Sequence, residues 1–397
     1  MTHTPSSPWS RLQHHTLANF TAVGWAYVLV TVIATATQYL PAPHMLNGFE
    51  VTWYNNYVIF KQSFFHLLDG KNLYIAYPAE HHDLYKYTPT FSLFFGLFAF
   101  LPDALGLLLW NALNVGVFFY GFSRLPFLST TVKAGALWLM IPEMMTTTQN
   151  CQSNALMAGL ILCCFNALES GRSLTGAFNI AAGFFVKLFA LVGGALFLLY
   201  PGKVRTGVYL AACFAILFAL PLLVASPSAY LQQFANYREM LAMDASASHG
   251  MGVEGMLTTW FSIDAPKNVV LAAGVVIFLM PFARVRMYQN ASFKLLALAS
   301  ILLWCVIFNH KSESPTFIIA VAGVSIWYFL RPRAWFDLVL GLLVVIFTSL
   351  SPTDLFPSYV FHNWVVPYVL KGAFCVFVWF RLVYEMMTLE GEVNREL

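Results

Sequence analysis

The chain has 397 residues, of which 59% are hydrophobic, 17% aromatic and only 10% charged. Soluble domains carry about 25% charged residues, so an ordinary soluble enzyme is excluded. The formal net charge of +3 says little about partners, and no nucleic-acid partner is expected.

Residues 1 to about 19 are polar, include Arg11, and lack the apolar core and small-residue cleavage site of a signal peptide. The first apolar run, Phe20 to Leu40, has the ~20 residues that a membrane span needs. A long polar interruption follows at about 41–89. Within it, Asn56 to Leu68 spaces Ile59, Phe60, Phe64 and Leu67 as one helix face, and Gly70 offers a stop. This segment is predicted to lie flat in the membrane interface. Pro89 to Leu101 is apolar but short, and reads as dipping into the bilayer without crossing.

Further apolar runs continue almost to the C-terminus, from Ala104–Phe122 through Val365–Val383. Leu174 to Tyr200 reads as one long helix or as two short ones meeting at Lys187. The pattern predicts an all-α fold, a single membrane domain over 1–397 with about twelve spans. A second external loop is expected at about 226–267. If the chain folds back at Lys187, the Arg124/Lys133, Arg172, Lys203/Arg205 and Arg284/Arg286/Lys294 groups share the cytoplasmic side. Both termini then lie in the cytoplasm, and the first loop lies outside. The six cysteines sit in or beside apolar runs without metal-ligand spacing, so no disulfide framework is expected. The adjacent His81 and His82 lack a third ligand. No metal and no cofactor are expected.

Ionisable groups at membrane depth are costly and tend to be functional or paired. Lys187, in the run GFFVKLFAL, reads as a cation for a phosphate or as a lysine snorkelling to the interface. Gln152 and Asn154 open an apolar helix, where they serve as cap, inter-helix bond or ligand contact. His310, Lys311 and Glu313 form a charged turn before Pro315.

Several landmarks occur in a particular order. They are Asp69-Gly70-Lys71-Asn72-Leu73-Tyr74, Tyr85-Lys86-Tyr87-Thr88-Pro89, Leu101-Pro102, Trp110-Asn111, Gln152-x-Asn154, Lys187, and Glu313-Ser314-Pro315-Thr316-Phe317. In this order they resemble the polyprenol-phosphate-dependent glycosyltransferases of family 87, which have the GT-C fold and include mannosyltransferases. The resemblance implies inverting transfer of a sugar, mannose being the best-known one, from a polyprenyl-phosphate-linked donor to a lipid or glycan acceptor. It implies an integral protein of the bacterial inner membrane, in contact with membrane lipid, with its active site on the periplasmic face.

The resemblance also implies a carboxylate base in the first external loop, at a position that here falls on Asn56. An amide is no base, so Glu50 is the expected catalytic residue, with Glu313 and Glu143 next in line. Asn56, Tyr85, Tyr87, Gln152, Asn154, Lys187, His310, Lys311 and Glu313 are the expected substrate-binding residues. Exchange of Asn56 for Asp is expected to be tolerated. Two other readings stay open: a non-catalytic membrane subunit of an envelope assembly, and a lipid-linked sugar transporter or flippase.

Overall fold

The computed structural model describes residues 19–245 and 249–390, so the expectations for Arg11 and for both termini lie outside the described residues. Helix α1 (Phe20–Tyr39) leads into a short hairpin, β1 (His44–Leu46) and β2 (Phe49–Val51), then α2 (Asn55–Leu68). The hairpin was not expected from the sequence. Its turn is Asn47-Gly48 with both φ angles positive (53° and 83°), which fits the type I′ geometry that closes a two-residue hairpin.

Helix α3 (Pro89–Ala99) starts on a proline behind a Thr88 cap. Its 11 residues rise only ~16 Å, too little to cross a ~30 Å hydrocarbon core. Then come α4 (Asp103–Ser123), α5 (Thr130–Leu139), α6 (Ile141–Gln149), α7 (Asn154–Glu169) and α8 (Ser173–Val186). After α8, Lys187 is extended (φ −141°, ψ 126°), and a 3₁₀ segment, Leu188–Leu199, returns alongside α8. Two glycines let the backbones meet. A Cβ at Gly183 would stand 2.9 Å from the Ala190 Cβ, and one at Gly193 would stand 2.6 Å from Ile180. The two pairings share one antiparallel register, so Leu174 to Tyr200 is two segments folded back at Lys187.

The remainder comprises α9 (Lys203–Ala219), α10 (Pro227–Ala245), α11 (Val253–Phe261), α12 (Lys267–Leu279), α13 (Ala291–Ile307), α14 (Phe317–Phe329), α15 (Trp335–Val344) and α16 (Leu370–Thr388). The expected second external loop therefore contains two helices. Helices α13 and α14 are buried along nearly their whole length and form the centre of the bundle. Helix α9 exposes Val204, Val208 and Ile216, the apolar surface of a lipid-facing helix.

Among the described residues, three helices are long and apolar enough to cross a membrane: α1, α4, and α9 continued to Leu223. Ser358–Val365 and α16 qualify only together and are bent by 62°. The other apolar helices run 10–17 residues. The expected twelve spans count these shorter helices as crossings too, although each has fewer than the ~20 residues of a full span. Pro142 lies at the start of α6 and splits one run, Lys187 splits another, and the backbone widens to a π-helix at Val345–Leu350 in a third.

Candidate active site

The fold-back tip of α8 is where the polar side chains gather. Lys187 Nζ donates to Asn154 Oδ1 at 2.7 Å and to Gln152 Oε1 at 3.4 Å. Asn154 Nδ2 donates to the same Gln152 oxygen at 3.0 Å. Gln152 Nε2 in turn donates to Glu313 Oε2 at 3.0 Å. The result is a chain running from cation through two amides to a carboxylate. Asn154 is wholly buried, Gln152 and Lys187 are half-buried, and Glu313 is exposed. The buried end is thus the amide and the open end is the acid. Lys187 also stands 5.5 Å from the Tyr87 ring centroid, within cation–π range. Burial above all, with the nearby Glu313 carboxylate adding to it, pushes the Tyr87 phenol up, so that it stays a neutral hydroxyl.

Local structure explains why these groups converge. Helix α6 ends at Gln149, and Cys151 takes a left-handed conformation (φ 55°) that turns the chain toward α7. The buried Trp110 holds this turn by donating Nε1–H to the Cys151 carbonyl at 2.8 Å. Asn114 Oδ1 accepts from the Leu156 N–H at 3.2 Å and ties the first turn of α7 to α4. Glu313 precedes the short 3₁₀ turn Ser314–Thr316, and its own N–H donates to Thr316 Oγ1 at 3.3 Å. Thr147 Oγ1 donates to the Pro315 carbonyl at 2.8 Å, docking that turn onto α6.

The first loop supplies Tyr87. Tyr74 OH donates to the Tyr87 carbonyl at 2.9 Å, and the Tyr74 ring stacks on Tyr237 of α10 at 5.0 Å. Gln233 of α10 accepts from the Leu73 N–H at 3.1 Å and donates to the Lys71 carbonyl at 2.8 Å. Thr88 Oγ1 donates to the Phe185 carbonyl, joining the loop to the end of α8. The loop is therefore clamped between α8 and α10.

Beside Lys187 lies an apolar groove of about 490 Å³, lined by Phe184, Phe185, Leu188, Phe214, Phe218 and Phe234 among others. Phe185 and Leu188 flank Lys187 in the chain, so the groove and the ammonium share one fold-back.

The other expected residues fall into three groups. Tyr85 is buried beneath the cluster, its ring 5.8 Å from Tyr87 and its hydroxyl donating to the Thr88 carbonyl. Asn56 borders the cluster: its Nδ2 donates at 2.9 Å to the carbonyl of Asn150, in the turn that carries Gln152. His310 and Lys311 are half-buried in the turn leading to Glu313. Glu50 stands apart. It is exposed on β2, opposite Met45. Glu143, a reserve candidate for the base, is wholly buried in an ion pair with Lys371 at 3.0 Å. Sequence reasoning singled out Trp110 only as a landmark and missed Asn114. A polar or indole N–H donor in an otherwise apolar helix is the signal that marks both.

Among the described residues, no three His, Cys, Asp or Glu side chains are placed to hold a metal ion, and the six cysteines are free.

Fold and cluster together define a helical membrane protein with a cation–amide–carboxylate chain at a fold-back whose neighbouring residues Phe185 and Leu188 line an apolar groove. The family model for glycosyltransferase family 87 matches residues 85–308, more than half of the chain. The chain belongs to glycosyltransferase family 87 and is a glycosyltransferase, with a sugar donor and an acceptor. Tyr87, Gln152, Asn154 and Lys187 lie inside the matched stretch; Glu50, Asn56 and Glu313 lie outside it. No curated protein matches the chain.

Proposed function

We propose that the protein transfers a sugar from a polyprenyl-phosphate donor to a lipid or glycan acceptor, on the external face of a bacterial inner membrane, within a GT-C fold. The observation that carries this reading is the Lys187–Asn154–Gln152–Glu313 chain, with Lys187 set between Phe185 and Leu188 of the apolar groove wall. The groove takes the polyprenyl tail next to the phosphate. Lys187 meets the phosphate oxygens, where negative charge develops as the sugar leaves. Asn154 and Gln152 hold the ammonium in place without neutralising it.

Glu313, rather than Glu50, is the carboxylate in reach of this arrangement. It takes the proton from the acceptor hydroxyl as that oxygen attacks the anomeric carbon. The carbon–oxygen bond to the phosphate breaks with its electron pair on the phosphate. A single displacement of this kind inverts the anomeric centre. Mannose is the sugar to test first.

The test uses purified full-length protein in detergent with radiolabelled polyprenyl-phosphate mannose. Saturable donor binding that is lost in Lys187→Met, with the variant still eluting as a folded monodisperse species, is the expected result. Equal donor binding by Lys187→Met and the parent protein sinks this reading.

A further inference from the structure

Helices α7 and α8 form an antiparallel hairpin with the active-site cluster at one end. The other end holds a second cavity, of about 600 Å³, lined in part by Tyr120, Arg124, Phe127, Arg172 and Asn179. Asn154 and Glu169, in the cavity wall, are the two ends of the 16-residue α7, a rise of ~22 Å apart. The two cavities are therefore distinct.

The charge in this second cavity is unbalanced. Its one acid, Glu169, already accepts from Tyr200 OH at 2.6 Å and pairs with Lys294 at 2.8 Å. Among the described residues, Arg124 and Arg172 make no ion pair; Arg124 lies only over the Tyr120 ring, at 5.7 Å. Asn179 adds a second, independent feature. It is 9% exposed on an apolar helix, lines the cavity, and makes no side-chain hydrogen bond to the described residues. Its amide atoms keep accessible surface in the cavity, where a ligand can reach them. The tendency of cations to remain on the cytoplasmic side explains why arginines stand at this end. It explains neither the cavity nor the buried amide.

The geometry points to a second binding site, for the phosphate of an anionic ligand, held by Arg124 and Arg172 with Asn179 as the inner polar contact. Arginine forks suit phosphate oxygens. The aromatic wall of Tyr120 and Phe127 suits the apolar part of a phospholipid beside its headgroup.

The test titrates the full chain in zwitterionic detergent with dioctanoyl phosphatidylglycerol, dioctanoyl phosphatidylcholine and inorganic phosphate, read by native mass spectrometry and thermophoresis. Saturable phosphatidylglycerol binding is expected, weakened at least ~10-fold in Arg124→Gln/Arg172→Gln. Arg172→Gln alone and Asn179→Leu should each weaken it by a smaller factor, and they serve if the double variant does not fold. Lys203→Gln removes a cation at the same end of the bundle, where Lys203 lies over the Tyr288 ring, and should leave affinity unchanged. Inorganic phosphate that binds with the same arginine dependence supports the phosphate site and assigns it to a soluble ligand. The proposal is overturned by phosphatidylcholine binding equally well, by an equal loss in Lys203→Gln, by indifference to the arginine changes, or by no binding of any probe.

Discussion

Lys187 and Lys371 are both lysines among apolar helices, and their partners differ in kind. Lys371 is 3% exposed, and its ammonium lies 3.0 and 3.2 Å from the two oxygens of the wholly buried Glu143. The Thr348 carbonyl accepts a third bond at 2.8 Å. That pair is neutral and closed. Lys187 is held by neutral amide oxygens, and its nearest acid in the chain of bonds, Glu313, lies one side chain further on. Its charge is fixed in place but not cancelled. A buried ion pair holds helices in register; a cation on amides remains available to an incoming anion.

The largest break in this contrast should come from Lys187→Met. Donor binding and turnover should vanish while the thermal midpoint moves little. A collapse in stability with donor affinity retained in the surviving protein would make Lys187 a second Lys371. Next in size, Glu313→Gln keeps shape and removes basicity, so turnover should fall ~10²–10⁴-fold with donor binding intact. Glu50→Gln should leave turnover unchanged, since Glu50 is exposed on the hairpin. A large loss there, with Glu313→Gln active, would restore Glu50 as the base.

Lys371→Met leaves Glu143 buried and unpaired and should cost ~3–5 kcal/mol of stability. Lys371→Met/Glu143→Leu should recover most of it, measured by denaturant unfolding in detergent. Asn56→Asp should cost about 0.5–1.5 kcal/mol, because a carboxylate there cannot donate to the Asn150 carbonyl and faces it instead. Full activity in Asn56→Asp would show that the Gln152 turn does not depend on that bond.

The smallest effect concerns pH. His66 Nε2 lies 2.8 Å from Glu80, yet burial outweighs that carboxylate and lowers the His66 pKa. Folding then favours the neutral ring. Its contribution is full above the ordinary value of about 6.5 and is lost as pH falls through the depressed value. Limited proteolysis of the first loop should rise on acidification, and His66→Gln should flatten that response.

Much of the cluster was legible because its members break an apolar background. Lys187, Gln152, Asn154 and Glu313 each stand out beside runs of Leu, Phe and Ala, and the fold-back at Lys187 followed from the charge pattern. The Lys371–Glu143 pair was not legible, since the partners are 228 residues apart and no local pattern couples them. The hairpin carrying Glu50 was readable from Asn47-Gly48, a turn signal that helical periodicity overshadowed. The number of crossings was less legible, for a different reason. Apolar composition continues across Pro142 and Val345–Leu350, where the α-helical bonding does not.

The spacing of the cluster along the chain also orders its assembly during synthesis. Asn154 and Lys187 are 33 residues apart, and the segment that brings them together is one helical hairpin. Gln152 and Glu313 are 161 residues apart. On an N-to-C-terminal route into the membrane, the cationic half is therefore complete while the acidic half has yet to leave the ribosome. Glu313 arrives last and docks through Thr147 onto a turn already held by Trp110. A nascent chain at that stage holds Lys187 on its amide partners without Glu313 at the far end of the chain of bonds.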